Sequence, residues 1–479
     1  MIEIGGLRRA LGIWPVVAFG VTNEIAAGLF FVSTQIQATV PGVGDMVPWL
    51  MVVGGALTYM TVIAYRYFFA AGLVGAGGEY VIISGAINPF FGFLATFLAW
   101  FGLTGSLGTL SYTAPKFLAN ACAAVGSLGA AQVLSSPLGT LVTGLVLLWG
   151  VWLIHVRGVH IAGTLVVIAM VFVIVVACVV IGYGFSTDPR TFALAMQAHL
   201  HISAQRAAAA SPASRVDLAA AFGRALPILF FGYLGLSTAT QTGGEAINAQ
   251  RALSKAVVIA VTLVTVIYTL FAFGVYHSVP WQLIAGLSAL KFTTYTTSTG
   301  LLGMVMPNWL ASLMNVFVAV IVIKTFLPVM LAQSRWIYAW AQDGLIPARF
   351  AVTHVRFQTP VLALTVAAIL GSLTLLESLP RGYVFGVNLR VLASMVVFFL
   401  IGLGMWRYPG PVRIWRFAVG AGIMAFSLWF AISIVMSAPG QALWFQPAFQ
   451  MAVATVIGVL IYLYAPKRRS RRRAAAMAD

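Results

Sequence analysis

The chain has 479 residues, 61% of them hydrophobic and 8% charged, with a formal net charge of +17. Soluble domains hold about 45–50% apolar and about 25% charged residues, so this composition excludes a soluble globular protein and requires a polytopic membrane protein. The basic excess is not read as a nucleic-acid surface, because Lys and Arg sit at the ends of apolar runs, where they set membrane topology. Two cysteines occur, Cys122 and Cys178, the second inside an apolar run. They leave no disulfide framework and argue against a metal site, and no cofactor is expected.

At about 20 residues per crossing, twelve spans are predicted, at 13–39, 47–70, 88–112, 138–156, 160–185, 222–243, 256–277, 307–333, 359–377, 384–406, 417–437 and 444–465. Arg8 and Arg9 precede the first span, which is too long and too glycine-punctuated for a cleaved leader and is expected to stay. Its middle, Ile25–Ala26–Ala27–Gly28–Leu29–Phe30, follows Asn23 and Glu24 and reads as a break. Unpaired N–H and C=O groups at membrane depth are tolerated only beside protein or water, so such a break is expected to line a cavity. In the third span Gly102, Gly105 and Gly108 recur every three residues, a spacing that suits close helix packing.

Two long outer loops follow, 186–221 with a short surface helix expected, and 278–306 with the run TTYTTSTG. Between them lies the sixth span, interrupted by Gly232 and Gly235 and ending in the polar turn Gly243–Gly244–Glu245. Two interrupted spans five apart suggest inverted repeats with a substrate held at the breaks. The eighth span carries Lys324 in VAVIVIKTFLPV, as the first carries Glu24 in VTNEIAAG. A charge at that depth costs about 2.5–3.5 kcal/mol on insertion scales, so both are functional candidates.

An even number of spans puts both termini on one side. With the N-terminus inside, inner loops and span ends carry twelve Lys or Arg and the KRRSRRR tail six more, against eight outside, Arg390 among them. Both termini are therefore expected in the cytoplasm of a multi-pass cell-membrane protein, with the tail near anionic lipid headgroups. His155 and His160, flanking Arg157, are expected at the interface, and Asn88 and Asn315 to hydrogen-bond between helices.

Four segments resemble the amino acid-polyamine-organocation permeases. Ala26–Ala27–Gly28–Leu29–Phe30 is similar to the family's Gly-Ser-Gly-Ile-Phe, with alanines for the first glycine and the serine. Gly77–Gly78–Glu79–Tyr80 matches its turn after the second span. Gly244–Glu245–Ala246–Ile247–Asn248–Ala249–Gln250–Arg251 resembles the segment after the sixth span, without the first acid, the lysine and the proline. Ser334–Arg335–Trp336–Ile337–Tyr338–Ala339 with Asp343–Gly344–Leu345–Ile346–Pro347 resembles the segment after the eighth. The four lie in order over residues 10–410.

The resemblance implies an all-α membrane protein of LeuT-like fold, two inverted five-helix halves with helices 1 and 6 broken. The implied organisation is a cytoplasmic N-terminus at 1–12, a ten-helix core at 13–406, two additional spans at 407–465 and a basic tail at 466–479. It further implies a secondary active transporter of amino acids by alternating access, proton-coupled or sodium-independent, with an exchanger or a non-transporting amine sensor of the same fold as alternatives. The partners are a small-molecule substrate and the lipid bilayer, not nucleic acid, and a monomer is the expected state. No HExxH run, paired intramembrane aspartates or Gly-x-Ser-x-Gly elbow supports an enzyme. A channel would call for a continuous pore ringed by like polar groups.

Helix N-termini suit a carboxylate, so the backbone of Ala26, Ala27 and Gly28 is expected to hold that of the substrate. Carbonyls at Phe231, Gly232 and Tyr233 are expected to take the ammonium, with Gly235 in the same break and Phe230 and Phe231 as gate aromatics. Ser237 falls where several family members have an acid or other polar residue, which favours a neutral substrate over a cationic one. Spans 1 and 8 of the fold face each other where sodium-coupled relatives hold sodium, so Lys324 is expected to replace that ion, paired with Glu24. Glu79, Glu245 and Arg335 are the expected cytoplasmic gate.

Overall fold

A computed structural model describes residues 6–212, 218–381, 387–410, 413–436, 443 and 446–465. Among these, twelve helical segments are long and apolar enough to cross a membrane. They are Ile13–Thr39, Gly44–Ala70, Pro89–Ala124, Pro137–Val156, Val159–Ser186, Ala219–Gln241, Ala249–Ser278, Asn308–Gln342, Val361–Pro380, Leu389–Arg407, Ile414–Met436 and Pro447–Tyr464, spans 1 to 12 below. No sheet occurs among the described residues, only two isolated backbone bridges, Leu11 with Ala246 and Ala76 with Thr242.

Burial orders the spans. In span 1, 76% of the apolar window is buried, against 17% in span 12, so span 1 is central and span 12 faces lipid with residues such as Val456 and Leu463. Span 7 packs on spans 1, 2 and 5, while span 3 carries spans 4, 8, 9 and 10. Spans 11 and 12 lie outside span 10, span 11 also touching span 2 and span 12 span 3. Span 3 is longer than predicted because 113–124 continues the helix through Pro115. Its 36 residues extend about 54 Å at about 1.5 Å each, so it must tilt or project beyond a hydrocarbon layer of about 30 Å.

The glycines of span 3 act as packing residues. A Cβ on Gly102 would lie 3.0 Å from Cα of Arg390 in span 10, and one on Gly108 2.7 Å from a backbone carbon of Thr374 in span 9. Small side chains let these backbones touch.

The two long loops are structured. The first holds helices Pro189–Leu200 and Ala204–Ala210, the second Trp281–Ala289, Thr293–Thr296 and Ser298–Gly303. They cross at Gly286, where a Cβ would come within 1.7 Å of the Ala207 carbonyl oxygen. The outer half of span 1 is tied to the second loop, since Thr34 Oγ1 donates to Thr296 O at 2.6 Å and Ser33 Oγ lies 3.3 Å from Ser298 Oγ.

Three polar expectations are corrected. His155 is buried and its Nε2 lies 2.9 Å from Leu327 O, because the last turn of span 4 packs against span 8. His160 is exposed. Asn88 caps span 3, its side chain accepting from Phe91 N at 3.0 Å, since an unpaired N–H at a helix start recruits the nearest amide. Asn315 is exposed and donates to Ala311 O of its own helix. The basic tail at 466–479 and Arg215 lie outside the described residues.

Candidate functional site

Span 1 is two helices, Ile13–Glu24 and Ala27–Thr39. Ile25 leaves helical geometry with ψ 71°, and Ala26 is extended with φ −99° and ψ −172°. A helix that stops there strands carbonyls at its end and N–H groups at the start of the next. Three of the carbonyls at the break are claimed by other spans. Lys324 Nζ donates to Thr22 O and, at 2.6 Å, to Ile25 O, and Tyr268 Oη donates to Glu24 O at 2.5 Å. The second half begins at Ala27 with no side-chain cap, leaving the first N–H groups, those of Ala27 and Gly28, at the positive end of a helix.

Span 6 breaks beside it. The α-helix Leu218–Leu229 gives way to a 3₁₀ stretch, Phe230–Leu236, and resumes at Ser237. Gly235 makes the crossing possible: a Cβ there would lie 2.5 Å from the Asn23 carbonyl carbon and 2.7 Å from Glu24 Cγ. Asn23 Nδ2 bridges the two breaks, donating to Thr238 Oγ1 at 2.6 Å and Gly235 O at 3.4 Å. Tyr268 joins them as well, since its hydroxyl also reaches Gly232 O at 3.2 Å.

A third break was not anticipated. Span 8 is Asn308–Lys324 followed by Phe326–Gln342, with Thr325 between them. Pro328 has no N–H to offer the carbonyl four residues back, at Lys324, which is the signal the sequence held. The break leaves Lys324 at a helix end, aimed at the break in span 1.

Lys324 and Glu24 do not pair. The lysine is taken by backbone carbonyls, while both carboxyl oxygens of the buried Glu24 lack a partner among the described residues. Glu24 Cγ lies close to Gly235, where a Cβ would come within 2.7 Å of it.

A cavity lies beside the two breaks, lined by Asn23, Ser237, Thr238, Arg390 and Ser394 and by a larger apolar share that includes Leu103, Leu234, Trp336, Val397 and Phe398. Of the residues named from sequence as substrate-binding, Ser237 lines it. Gly28, Phe231 and Gly232 line a smaller recess of about 220 Å³ shared with Tyr268. Phe230 faces the other way, its ring 5.0 Å from Phe430 and 5.7 Å from Phe426 in a buried aromatic cluster. Tyr233 turns to span 2, donating to Met51 O at 2.7 Å. Gly235 is filled by the backbone of span 1, and Ala26 forms the break itself.

Sequence reasoning missed Asn23 and Thr238 as a bridging pair, and Trp336, Arg390 and Ser394 as lining. Asn23 had a readable signal, an amide one turn before a break. Arg390 was assigned to an outer loop; it is the second residue of span 10 and lines the cavity.

The face on which the chain begins is closed by a buried ion pair. Arg335 donates from Nη2 to Glu245 Oε1 at 2.6 Å and from Nε to Oε2 at 3.1 Å, with Nη1 on Ser334 Oγ at 2.8 Å. Glu245 O accepts from Ala10 N and Leu11 N at 2.9 and 3.0 Å, strapping the N-terminal segment across this end. Glu79 stays apart from Arg335: it accepts from Gln241 Nε2 at 2.6 Å and Tyr65 Oη at 3.2 Å, and borders the cavity. Burial pushes its carboxyl up to about 7, against the opposing effect of those hydrogen bonds. Arg251 is exposed.

The family model described as amino acid permease matches residues 11–463. The chain is 25% identical over 479 residues to an uncharacterized transporter of Mycobacterium tuberculosis, covering 98% of this chain and 93% of that one. Shorter matches are to a branched-chain amino acid permease of Bacillus subtilis, 26% identical over 178 residues and 36% of each chain. A vacuolar cationic amino acid transporter 4 of Arabidopsis thaliana is 31% identical over 134 residues, 28% of this chain and 21% of that one.

Proposed function

The chain belongs to the amino acid permease family, a family of transporters and not of enzymes, and we propose that it carries amino acids across the cell membrane by alternating access, with both termini in the cytoplasm. The proposed fold is LeuT-like, a core of two inverted five-helix halves over 13–406 followed by two additional spans. Breaks in spans 1 and 6, five apart, support that symmetry.

The observation that carries this reading is the meeting of the two broken spans, with Asn23 joined to Gly235 and Thr238 beside a largely apolar cavity that a few polar groups enter. Irregular backbone at membrane depth is stable only where protein or water satisfies it, and here it borders a cavity. In the proposed complex, the N–H groups of Ala27 and Gly28 hold the substrate carboxylate; that of Ala26, also expected there, donates instead to Glu24 O at 2.7 Å. The carbonyls of Phe231, Gly232 and Tyr233 face the ammonium, and Phe231 and Ser237 flank the side chain. The substrate is an amino acid without a cationic side chain.

Lys324 is the proposed sodium surrogate. Its ammonium on the Thr22 and Ile25 carbonyls supports this, because a cation held by backbone oxygens is the arrangement an inorganic ion would take. Glu24, free of Lys324, is the proposed proton-exchanging group. The Arg335–Glu245 pair is the proposed cytoplasmic gate, with Glu79 and Gln241 beneath the cavity.

Counterflow of labelled amino acids into proteoliposomes tests the reading: accumulation against unlabelled internal substrate is expected, and binding without counterflow would make the protein a sensor. Stimulation of uptake by external sodium would defeat the surrogate role of Lys324, and a Lys324→Gln variant that keeps its full pH dependence would show that the lysine itself does not titrate in the cycle.

A further inference from the structure

Arg390 is a cation in the cavity wall without an anion. Its Cα is pressed against span 3 where Gly102 leaves no side chain, and its guanidinium lies over the Phe231 ring, 5.7 Å from the centroid. Among the described residues it has neither an ion pair nor a hydrogen bond from its guanidinium; Arg335–Glu245 is the one ion pair there. Among the described residues Glu24, next to Asn23 of the lining, also has carboxyl oxygens without a partner, but it forms no ion pair with Arg390. Glu79 is engaged by Gln241 and Tyr65, and Lys324 by the carbonyls of span 1.

Arg390 is only partly exposed; taking a guanidinium out of water is costly, and a cation–π contact offsets only part of that cost. A five-donor planar fork facing empty space is suited to a carboxylate, which it binds bidentately. Resting on the permease reading, in which the α-carboxylate is held by N–H groups at the break in span 1, we infer that Arg390 binds a second carboxylate, so that the transported amino acid has an acidic side chain. The Phe231 ring touches both regions, 3.8 Å from the position of a Gly28 Cβ and beneath the Arg390 guanidinium, so it stands against the stem joining the two carboxylates. Ser394, one turn along span 10, and Ser237 supply neutral polar lining that suits that stem's polar ends.

Equilibrium binding of glutamate and of its neutral isostere glutamine to the purified full chain, unmodified and as Arg390→Gln and Arg390→Lys, tests this. The unmodified protein is expected to prefer glutamate by about tenfold or more, since a site built for a charged group rejects its uncharged analogue strongly. Arg390→Gln is expected to abolish the preference by weakening glutamate while sparing glutamine, and Arg390→Lys to retain part of it. Thermal unfolding without ligand establishes that Arg390→Gln is folded; if it is not, an undiminished preference in Arg390→Lys overturns the inference. Equal binding of the two ligands to the unmodified protein, or an equal loss of both in Arg390→Gln, overturns it while leaving the permease reading intact. Binding of neither ligand overturns the inference, while the permease reading falls only if counterflow with the other amino acids fails as well.

Discussion

The ammonium of Lys324 lies 2.6 Å from the carbonyl oxygen of Ile25, closing the end of the first half of span 1 from a break in span 8. It also donates to Thr22 O, so one side chain satisfies two of the carbonyls that the break strands. A positive charge at the C-terminal end of Ile13–Glu24 is also favourable to that helix's dipole.

Lys324→Met keeps an apolar stem of similar reach and leaves Thr22 O and Ile25 O without that donor. Hydrogen bonds from a charged donor contribute about 1.5–3 kcal/mol each, so a loss of about 3 kcal/mol or more is expected. It is read as a lowered midpoint of thermal unfolding in detergent. An unchanged midpoint would mean that the ammonium does not hold the break together.

Gly235 and Gly28 sit in the two breaks but differ in room. Gly235→Ala drives a Cβ into the Asn23–Glu24 backbone, 2.5 Å from the Asn23 carbonyl carbon, and backbone cannot swing aside. Overpacking of this kind costs about 1–3 kcal/mol and is expected to abolish uptake. Gly28→Ala meets the Phe231 ring at 3.8 Å, an ordinary contact, and is expected to leave stability within about 1 kcal/mol. Parallel unfolding and uptake measurements on the two variants decide this, and equal tolerance would refute the crossing of spans 1 and 6 at Gly235.

Glu79 gives a pH dependence of known sign. Its folded carboxyl titrates at about 7, above the ordinary 4.5, so the folded state binds the proton more tightly than the unfolded chain. That stabilisation is complete below about pH 4.5 and is lost as pH rises through about 7, amounting to about 3 kcal/mol across the window. Glu79→Gln is expected to flatten this part of a plot of unfolding midpoint against pH. A plot of unaltered slope would place the titration on another group.

Arg335 and Glu245 form a bidentate pair with neither side chain exposed. Glu245→Gln is expected to destabilise by about 3–5 kcal/mol, because a guanidinium is left buried without its counter-charge. If the pair is the gate, Glu245→Gln should also speed thiol labelling of a cysteine placed at Ser237 from the side on which the chain begins. Unchanged labelling with lowered stability would leave the pair a static tie. The double variant Arg335→Met with Glu245→Leu is expected to recover part of the lost stability, since an apolar pair removes both desolvation costs.

Much of the architecture is local and was therefore legible. A span is a run of apolar side chains long enough to cross hydrocarbon, and a break is a place where glycine or a missing cap lets the backbone leave the helix; both are properties of a few neighbouring residues. The twelve spans and the interruptions near residues 25–28 and 232–235 followed from the sequence for that reason, as did the depth of Glu24 and Lys324.

Which way a side chain faces is not local. Phe230 and Phe231 are neighbours of the same chemistry, yet one enters an aromatic cluster with spans 10 and 11 and the other stands over Gly28 and under Arg390. Lys324 meets the carbonyls of Thr22 and Ile25 and not Glu24, a choice that the spacing of charges along the chain does not announce. Arg390 reads as a topological charge until span 10 is laid against Gly102. By itself the sequence determined that this chain crosses the membrane about twelve times with two opened helices, because those facts depend on transfer energies and backbone freedom along the chain. Only the tertiary structure decided which charges meet and which are left facing the cavity, because that depends on the angles at which distant helices cross.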